Sequence, residues 1–168
     1  PAEGYTYQAG HGAEIAYYSG VPAINDFRSV DVSKGGQGAP LVPIGDELLF
    51  SNYDALINLG GFSNISFSED GKRVGYDICP VNMVLNHFAA QLSLPYDMDG
   101  NIAREGRLNT GLLEKLNSWP YYSRTTPKSL GRENFENSFL PFFSEFDVSV
   151  PDALHTLVEH ISIQVSHA

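Results

Sequence analysis

Between residues 55 and 92 the hydrophobic pattern changes period once, and that change restricts the local fold more than any other feature of the chain. Residues 55–58 form a short apolar run that ends at Gly60-Gly61. Two further runs, 64–67 and 74–78, flank Asp70-Gly71, a pair that favours the tight turn of a β-hairpin. The pattern predicts a three-stranded meander. From 81 to 92 the apolar residues Val81, Val84, Leu85, Phe88, Ala89 and Leu92 recur at intervals of three and four, with Pro80 suited to a helix start. A helix therefore follows the meander directly.

Elsewhere 16 Gly and 10 Pro divide the chain into short units, which predicts a mixed α/β fold. Residues 13–18 read as a helix stopped by Gly20, and 21–25 as a strand leading into an Asp26-Phe27-Arg28 turn. Short helices are expected at 102–105, 111–116 and 132–140. A long final helix buries Ala153, Leu154, Leu157, Val158, Ile161 and Val165 on one face. At 168 residues the chain is one domain, or one and a fraction. With 42% hydrophobic and 18% charged residues it has a globular composition, since a typical charged share is about 25%.

Ten Lys and Arg against 20 Asp and Glu leave a net charge of −10 with no basic cluster, which argues against a nucleic-acid partner. A small anion is still accessible to backbone N–H groups in Gly-rich turns. The single cysteine, Cys79, excludes an intrachain disulfide and a multi-cysteine zinc site, and suits a reducing compartment. No apolar run reaches the roughly 18 residues of a membrane span, and the first residues lack a signal-peptide pattern. A soluble, cytoplasmic protein with no membrane partner is the expectation. The absence of an initiating Met, and an end directly after a helical pattern, suggest an internal segment of something longer.

Four stretches have residues suited to chemistry. Asp26-Phe27-Arg28, Asp31 and the loop Gly35-Gly36-Gln37-Gly38-Ala39-Pro40 combine close backbone approach with an Arg fork for an anion or a sugar oxygen, or else form a tight turn with an internal Asp–Arg pair. Asn58-Leu59-Gly60-Gly61-Phe62-Ser63-Asn64 is either a phosphate-handling turn or a bulged hairpin. Asp77, before Ile78-Cys79-Pro80-Val81-Asn82, is a candidate general base or a cap for the following helix, and Cys79 a small buried filler. Tyr96-Asp97-Met98-Asp99-Gly100 and Pro127-Lys128-Ser129-Leu130-Gly131-Arg132-Glu133 cluster charges with turn residues and read as solvated turns. Asp97 and Asp99 make a weak metal or sugar signal. The five His are scattered and assigned no site, and no metal ligands are named.

In this order and at these spacings the stretches resemble the anhydro-N-acetylmuramic acid kinases, of the actin, Hsp70 and sugar-kinase superfamily. Thr6-Tyr7-Gln8-Ala9-Gly10, Leu41-Val42-Pro43 and Asp99-Gly100 match as well, so the resemblance runs nearly end to end. It implies an α/β, ribonuclease-H-like fold with two lobes around a cleft, only part of it present: residues 1–50 would close the first lobe and 51–168 form most of the second. It implies a cell-wall-recycling enzyme that uses ATP and Mg2+ to convert 1,6-anhydro-N-acetylmuramic acid into N-acetylmuramic acid 6-phosphate. Asp77 would be the catalytic base. Asp26, Arg28, Gln37, Gly38 and Asn82 would bind the sugar, and Asn58, Gly60, Gly61 and Asn64 the nucleotide phosphates. The partners implied are the amino sugar and ATP, with a homodimer as a further expectation.

Two departures stand out. The family usually has Gly at the positions of Cys79 and Val81, and a left-handed backbone or a close backbone approach to ligand there would oppose both side chains. A non-catalytic binder of cell-wall sugars on the same scaffold is the alternative this raises. The family's first phosphate loop and its C-terminal Gly-rich adenosine segment are absent, and a full-length member should be about twice this long. Phosphate transfer by the 168 residues alone is therefore not expected.

Overall fold

The computed structural model describes residues 10–36, 38 and 42–168. Three strands, β1 (Ala55–Leu59), β2 (Phe62–Glu69) and β3 (Lys72–Pro80), form an antiparallel sheet in the order β1-β2-β3. Asp70 and Gly71 turn β2 into β3 with φ of 50° and 73°, the paired positive values of a turn whose twist matches the flanking strands. This register puts Asn58, Asn64 and Asp77 in one row across the sheet, because Asn58 pairs with Asn64 and Asn64 with Asp77. Directly opposed residues share a face, so the three side chains project the same way. The pairing shifts between Phe62 and Asn64, a bulge beside that row.

The opposite face of the sheet is apolar. Ile65 and Ile78 join Cys79 and Val81 in a small buried cluster covered by Phe67, Tyr76, Leu85, Tyr122, Ile161 and Val165. The last two come from α8 (Val150–Ser166). A larger core gathers Val84 and Phe88 of α4 (Asn82–Gln91), Leu112 and Leu116 of α6 (Thr110–Asn117), Trp119, Tyr121 and Leu130, three phenylalanines from 135–143, and Ala153, Leu154 and Leu157 of α8. Each such side chain contributes on the order of 2 kcal/mol by leaving water. Val158 lies outside this core at 46% exposure, so the buried stripe of α8 is narrower than its sequence pattern predicts.

α8 starts firmly: the Ser149 hydroxyl accepts from the Asp152 N–H at 3.2 Å, and the Asp152 carboxylate accepts from the Arg107 N–H at 2.7 Å. Gly106, which ends α5 (Asn101–Glu105), passes so close to this start that a Cβ would lie 2.0 Å from the Pro151 carbonyl oxygen. Neither backbone can yield cheaply. Gly106→Ala should cost about 2 to 4 kcal/mol, read as a lower urea midpoint at unchanged m-value.

The N-terminal part is helical: α1 (Gly12–Ser19), α2 (Phe27–Ser33) and α3 (Val42–Leu49). Gly20 ends α1 in the left-handed region, as its position predicts. Residues 21–25 are not a strand. Pro22 cannot donate to a ladder, and Asp26, with φ of 61°, turns the chain into α2 instead. α3 is absent from the sequence reading. It lies over the β2–β3 pair, where a Cβ on Gly75 would meet Pro43 Cγ at 2.7 Å and the Ile65 carbonyl oxygen at 3.0 Å. The 132–140 helix is broken: α7 (Arg132–Asn134) widens into a π turn (Phe135–Phe139), then tightens into a 3-10 turn (Leu140–Glu145) around Pro141.

Candidate active site

Asp77 is held on three sides by residues far from it in sequence. Its carboxylate oxygen Oδ2 accepts from the Leu130 N–H at 2.8 Å, its own N–H donates to the Lys128 carbonyl at 3.3 Å, and its carbonyl accepts from the Tyr121 hydroxyl at 2.5 Å. Only 7% of the residue is exposed. Burial pushes the carboxyl pKa up, while the Leu130 N–H and then the positive charge of Arg28 pull it back, and the net direction is upward. A carboxylate moved toward neutral pH is a better proton acceptor than an ordinary Asp.

The capping role considered for Asp77 is not what the structure contains. α4 has Val81 at its N-cap without a side-chain bond, and its first N–H groups are met by the β1–β2 turn. The Gly61 carbonyl accepts from Val81 at 2.9 Å and from Met83 at 3.2 Å, and the Gly60 carbonyl from Asn82 at 3.1 Å. The Asn82 side-chain amide donates to the Leu59 and Gly60 carbonyls at 3.0 and 2.9 Å. Asn82 thus ties the helix to the glycine turn. Nothing in the described fold demands glycine in that turn: neither residue has a positive φ, and a Cβ would find its nearest neighbours at 3.4 Å for Gly60 and 3.9 Å for Gly61.

α2 brings the positive charge of Arg28 within electrostatic reach of Asp77. Arg28 donates from Nη1 to the Gly38 carbonyl at 2.5 Å, and the Gly38 N–H donates to Asp31 Oδ2 at 2.7 Å. Two side chains three residues apart on one helix therefore hold Gly38 at a φ of 69°. Gly36 is needed because a Cβ there would lie 2.2 Å from the Asp31 carboxylate. Asp26 is engaged locally, its carboxylate accepting from the Ser29 hydroxyl. Gln37 lies outside the described residues, as do Thr6 to Ala9 and Ala39 to Leu41.

Cys79 and Val81 cause no left-handed strain. Cys79 continues β3 and Val81 has a φ of −125°. Cys79 is fully buried, its thiol pushed up to about 11 by burial and set 3.3 Å from the Ser63 hydroxyl, so it is a packed filler and not a nucleophile. Left-handed strain is therefore no reason to suspect a disabled loop.

The 127–131 stretch is a correction to the solvated-turn reading. After a cis Thr126–Pro127 bond it runs inward, buries Leu130 and meets Asp77. Tyr121 has no motif around it, and its one signal in the sequence is the aromatic run Trp119-Pro120-Tyr121-Tyr122. Asp97 is a cap, its two oxygens accepting from the Ile102 and Ala103 N–H groups at 2.9 Å each. Among the described residues no group of three or more His, Cys, Asp or Glu could hold a metal ion, and no helix is long and apolar enough to cross a membrane.

The family model for anhydro-N-acetylmuramic acid kinase matches residues 1–168. Curated relatives bearing that name include proteins of Pseudomonas putida, 41% identical over 95% of this chain and 46% of the relative, and Hydrogenovibrio crunogenus, 39% identical over 89% and 42%. A third, from Pseudomonas syringae pv. syringae, is 36% identical over 99% of the chain and 48% of the relative. The chain spans somewhat under half the length of these relatives. With the family model matched over residues 1–168 and relatives 36–41% identical along most of its length, the chain belongs to the anhydro-N-acetylmuramic acid kinase family.

Proposed function

We propose that the protein is an ATP-dependent kinase that opens and phosphorylates 1,6-anhydro-N-acetylmuramic acid in cell-wall recycling, with this chain providing one wall of its cleft. The observation that carries the reading is Asp77, a buried carboxylate raised in pKa and fixed at its backbone and at one oxygen. In this scheme Asp77 takes a proton from water as the water oxygen bonds to the anomeric carbon. The bond from that carbon to the bridging 6-oxygen breaks, and the 6-oxygen attacks the γ-phosphorus of ATP, releasing ADP. Arg28 and Gly38 face the sugar beside it, with Asp26, Gln37 and Asn82 as further sugar contacts.

Asn58, Asn64, Gly60 and Gly61 are assigned to the phosphates of ATP, supported by the room over a glycine turn that the fold itself does not require. Mg2+ would neutralise phosphate charge. Such an ion is ordinarily held by one or two carboxylates together with the phosphates themselves. A ribonuclease-H-like fold of two lobes, divided near residue 50, belongs to the same reading. It is supported by the apolar side chains of Ile15, Val30, Leu48 and Leu49, exposed on α1 to α3 as surface for further protein. A cytoplasmic location and a homodimer are parts of the proposal that size-exclusion and fractionation experiments can check.

The nucleotide assignment is tested by Gly61→Val in the full-length protein. The expected result is a rise of about tenfold in KM for ATP, the equivalent of one good hydrogen bond, with KM for the sugar and Tm unchanged. Equal KM for ATP in both proteins would remove Gly61 from the phosphate site.

A further inference from the structure

Among the described residues, Lys128 is the one cation whose main chain touches Asp77 and whose side chain lies against two aromatic rings. Its ammonium lies 5.2 Å from the Tyr76 ring centre and 5.1 Å from the Tyr121 ring centre, and donates to the Tyr122 carbonyl at 3.2 Å. Tyr76 precedes Asp77 on β3, and Tyr121 is the residue whose hydroxyl donates to the Asp77 carbonyl. A cation seated between two aromatic faces prefers one position strongly, because both ring faces carry negative potential. The side chain therefore pins residue 128 to the two aromatics that flank Asp77. From residue 128 the chain reaches Asp77 twice, through the Lys128 carbonyl on the Asp77 N–H and, two residues on, through the Leu130 N–H on Oδ2.

We propose that Lys128 is a positioning residue: its ammonium, clamped between Tyr76 and Tyr121, holds the 128–130 segment so that the Leu130 N–H stays on the Asp77 carboxylate. The inference rests on Asp77 being the base for its kinetic consequence, but the geometric part stands apart from that reading. The groups that act on the Asp77 carboxyl are Arg28 from α2, Leu130 from the loop and Tyr121 from the segment after α6, while Tyr76 and Cys79, its neighbours on β3, pack in the apolar cluster. Of the acidic residues on α3, Asp46 is engaged by the Ser66 hydroxyl. Removing the ammonium leaves the groups other than Leu130 in place and releases only the segment that carries the Leu130 donor. A hydrogen bond to the charged form of a carboxyl lowers its pKa, so its loss raises the pKa further.

The test compares wild type, Lys128→Met and Lys128→Arg in the full-length protein, with Tyr76→Leu as a second way to weaken the clamp should Lys128→Met fail to fold. The Asp77 carboxyl is titrated by carbon-13 NMR, assigned by its absence in Asp77→Asn, and the acid limb of kcat/KM is measured on the anhydro sugar. Lys128→Met should move the titration and the acid limb up together by roughly one pH unit. Tyr76→Leu should move them in the same direction by less, and Lys128→Arg should restore the wild-type values, since a guanidinium also stacks on aromatic rings. An unmoved Asp77 titration in Lys128→Met, or in Tyr76→Leu if that is the variant that folds, overturns the proposal. A moved titration with no phosphorylation in any of the proteins would support Lys128 and sink the kinase role of Asp77, so the two failures are distinct.

Discussion

Asp77→Asn in the full-length protein should lower kcat for sugar phosphorylation by about a thousandfold and leave the fold intact. The two effects separate because of what the carboxylate does structurally. Its oxygen accepts one N–H, from Leu130 at 2.8 Å, and the amide oxygen of Asn can accept the same bond. The other two ties, to Lys128 and Tyr121, are made by the Asp77 backbone and survive the substitution. What is lost is the negative oxygen that accepts a proton. A neutral residue also removes the cost of burying a charge, so the variant should unfold at the same denaturant concentration as wild type or slightly above it. Thermal unfolding beside a steady-state assay checks both halves. A kcat within a few-fold of wild type would take the base role away from Asp77.

The second large effect is on stability in acid. His160 on α8 is fully buried, and its Nδ1–H donates to Asn117 Oδ1 at 2.7 Å while Nε2 accepts from the Tyr122 hydroxyl at 2.8 Å. Gln164 donates to the same Asn117 oxygen at 2.9 Å, so that oxygen is an acceptor and the proton facing it is on His160 Nδ1. Burial drives the His160 pKa down to about 4 from an ordinary value of 6.5. The unfolded chain therefore takes up a proton near pH 6.5 that the folded chain refuses until about pH 4. His160 accordingly contributes its full stability above pH 6.5, and that contribution is lost as the pH falls through 4, in total about 3 kcal/mol.

Urea unfolding at several pH values between 4 and 6.5 measures this loss. Asp77 acts in the opposite sense there, because its pKa is raised, so the comparison that isolates the histidine is His160→Gln. That variant should be less stable than wild type at pH 7 and should lose stability less steeply with acid, by close to one proton's worth of slope. Identical slopes in the two proteins would mean that His160 does not titrate as its burial demands.

Both predictions concern residues whose partners are distant in sequence, and this distance sets what can be read without a structure. The Asp70-Gly71 hairpin and the single change of period at residue 80 are local signals. They suffice to set Asn64 opposite Asp77, since register in a two-residue hairpin follows from the turn, but a two-residue turn at Gly60-Gly61 would put Asn58 opposite Ser63, and only the structure pairs it with Asn64. The partners of Asp77 are 44 and 53 residues further along, in a stretch whose Pro, Lys and Ser look like solvent-facing turn chemistry. Only packing against β3 makes that stretch interior. In the same way, His160 falls on a helix face that periodicity marks as core, but periodicity cannot say that Asn117 and Tyr122 arrive there to satisfy it.

α3 shows the reverse problem. Its Val42-Pro43-Ile44-Gly45 start carries Pro and Gly, which read as a break, and the helix is held by the sheet it covers at Gly75. The two substitutions at Cys79 and Val81 are a third case. Their identity raised the question of a left-handed backbone, and only the backbone angles answer it: the strand simply continues through Cys79.

The most direct measurement is mass spectrometry of the sugar product after the full-length protein is incubated with ATP and 1,6-anhydro-N-acetylmuramic acid in water enriched in oxygen-18. If Asp77 activates water at the anomeric carbon and the freed 6-oxygen takes the phosphoryl group, the product is a 6-phosphate with one heavy oxygen on the sugar and none in the phosphate. Asp77→Asn should form neither. Sugar that is bound but never phosphorylated, or a phosphorylated product with its anhydro bridge intact, would contradict the assignment of this wall of the cleft as the site of hydrolysis and phosphate transfer.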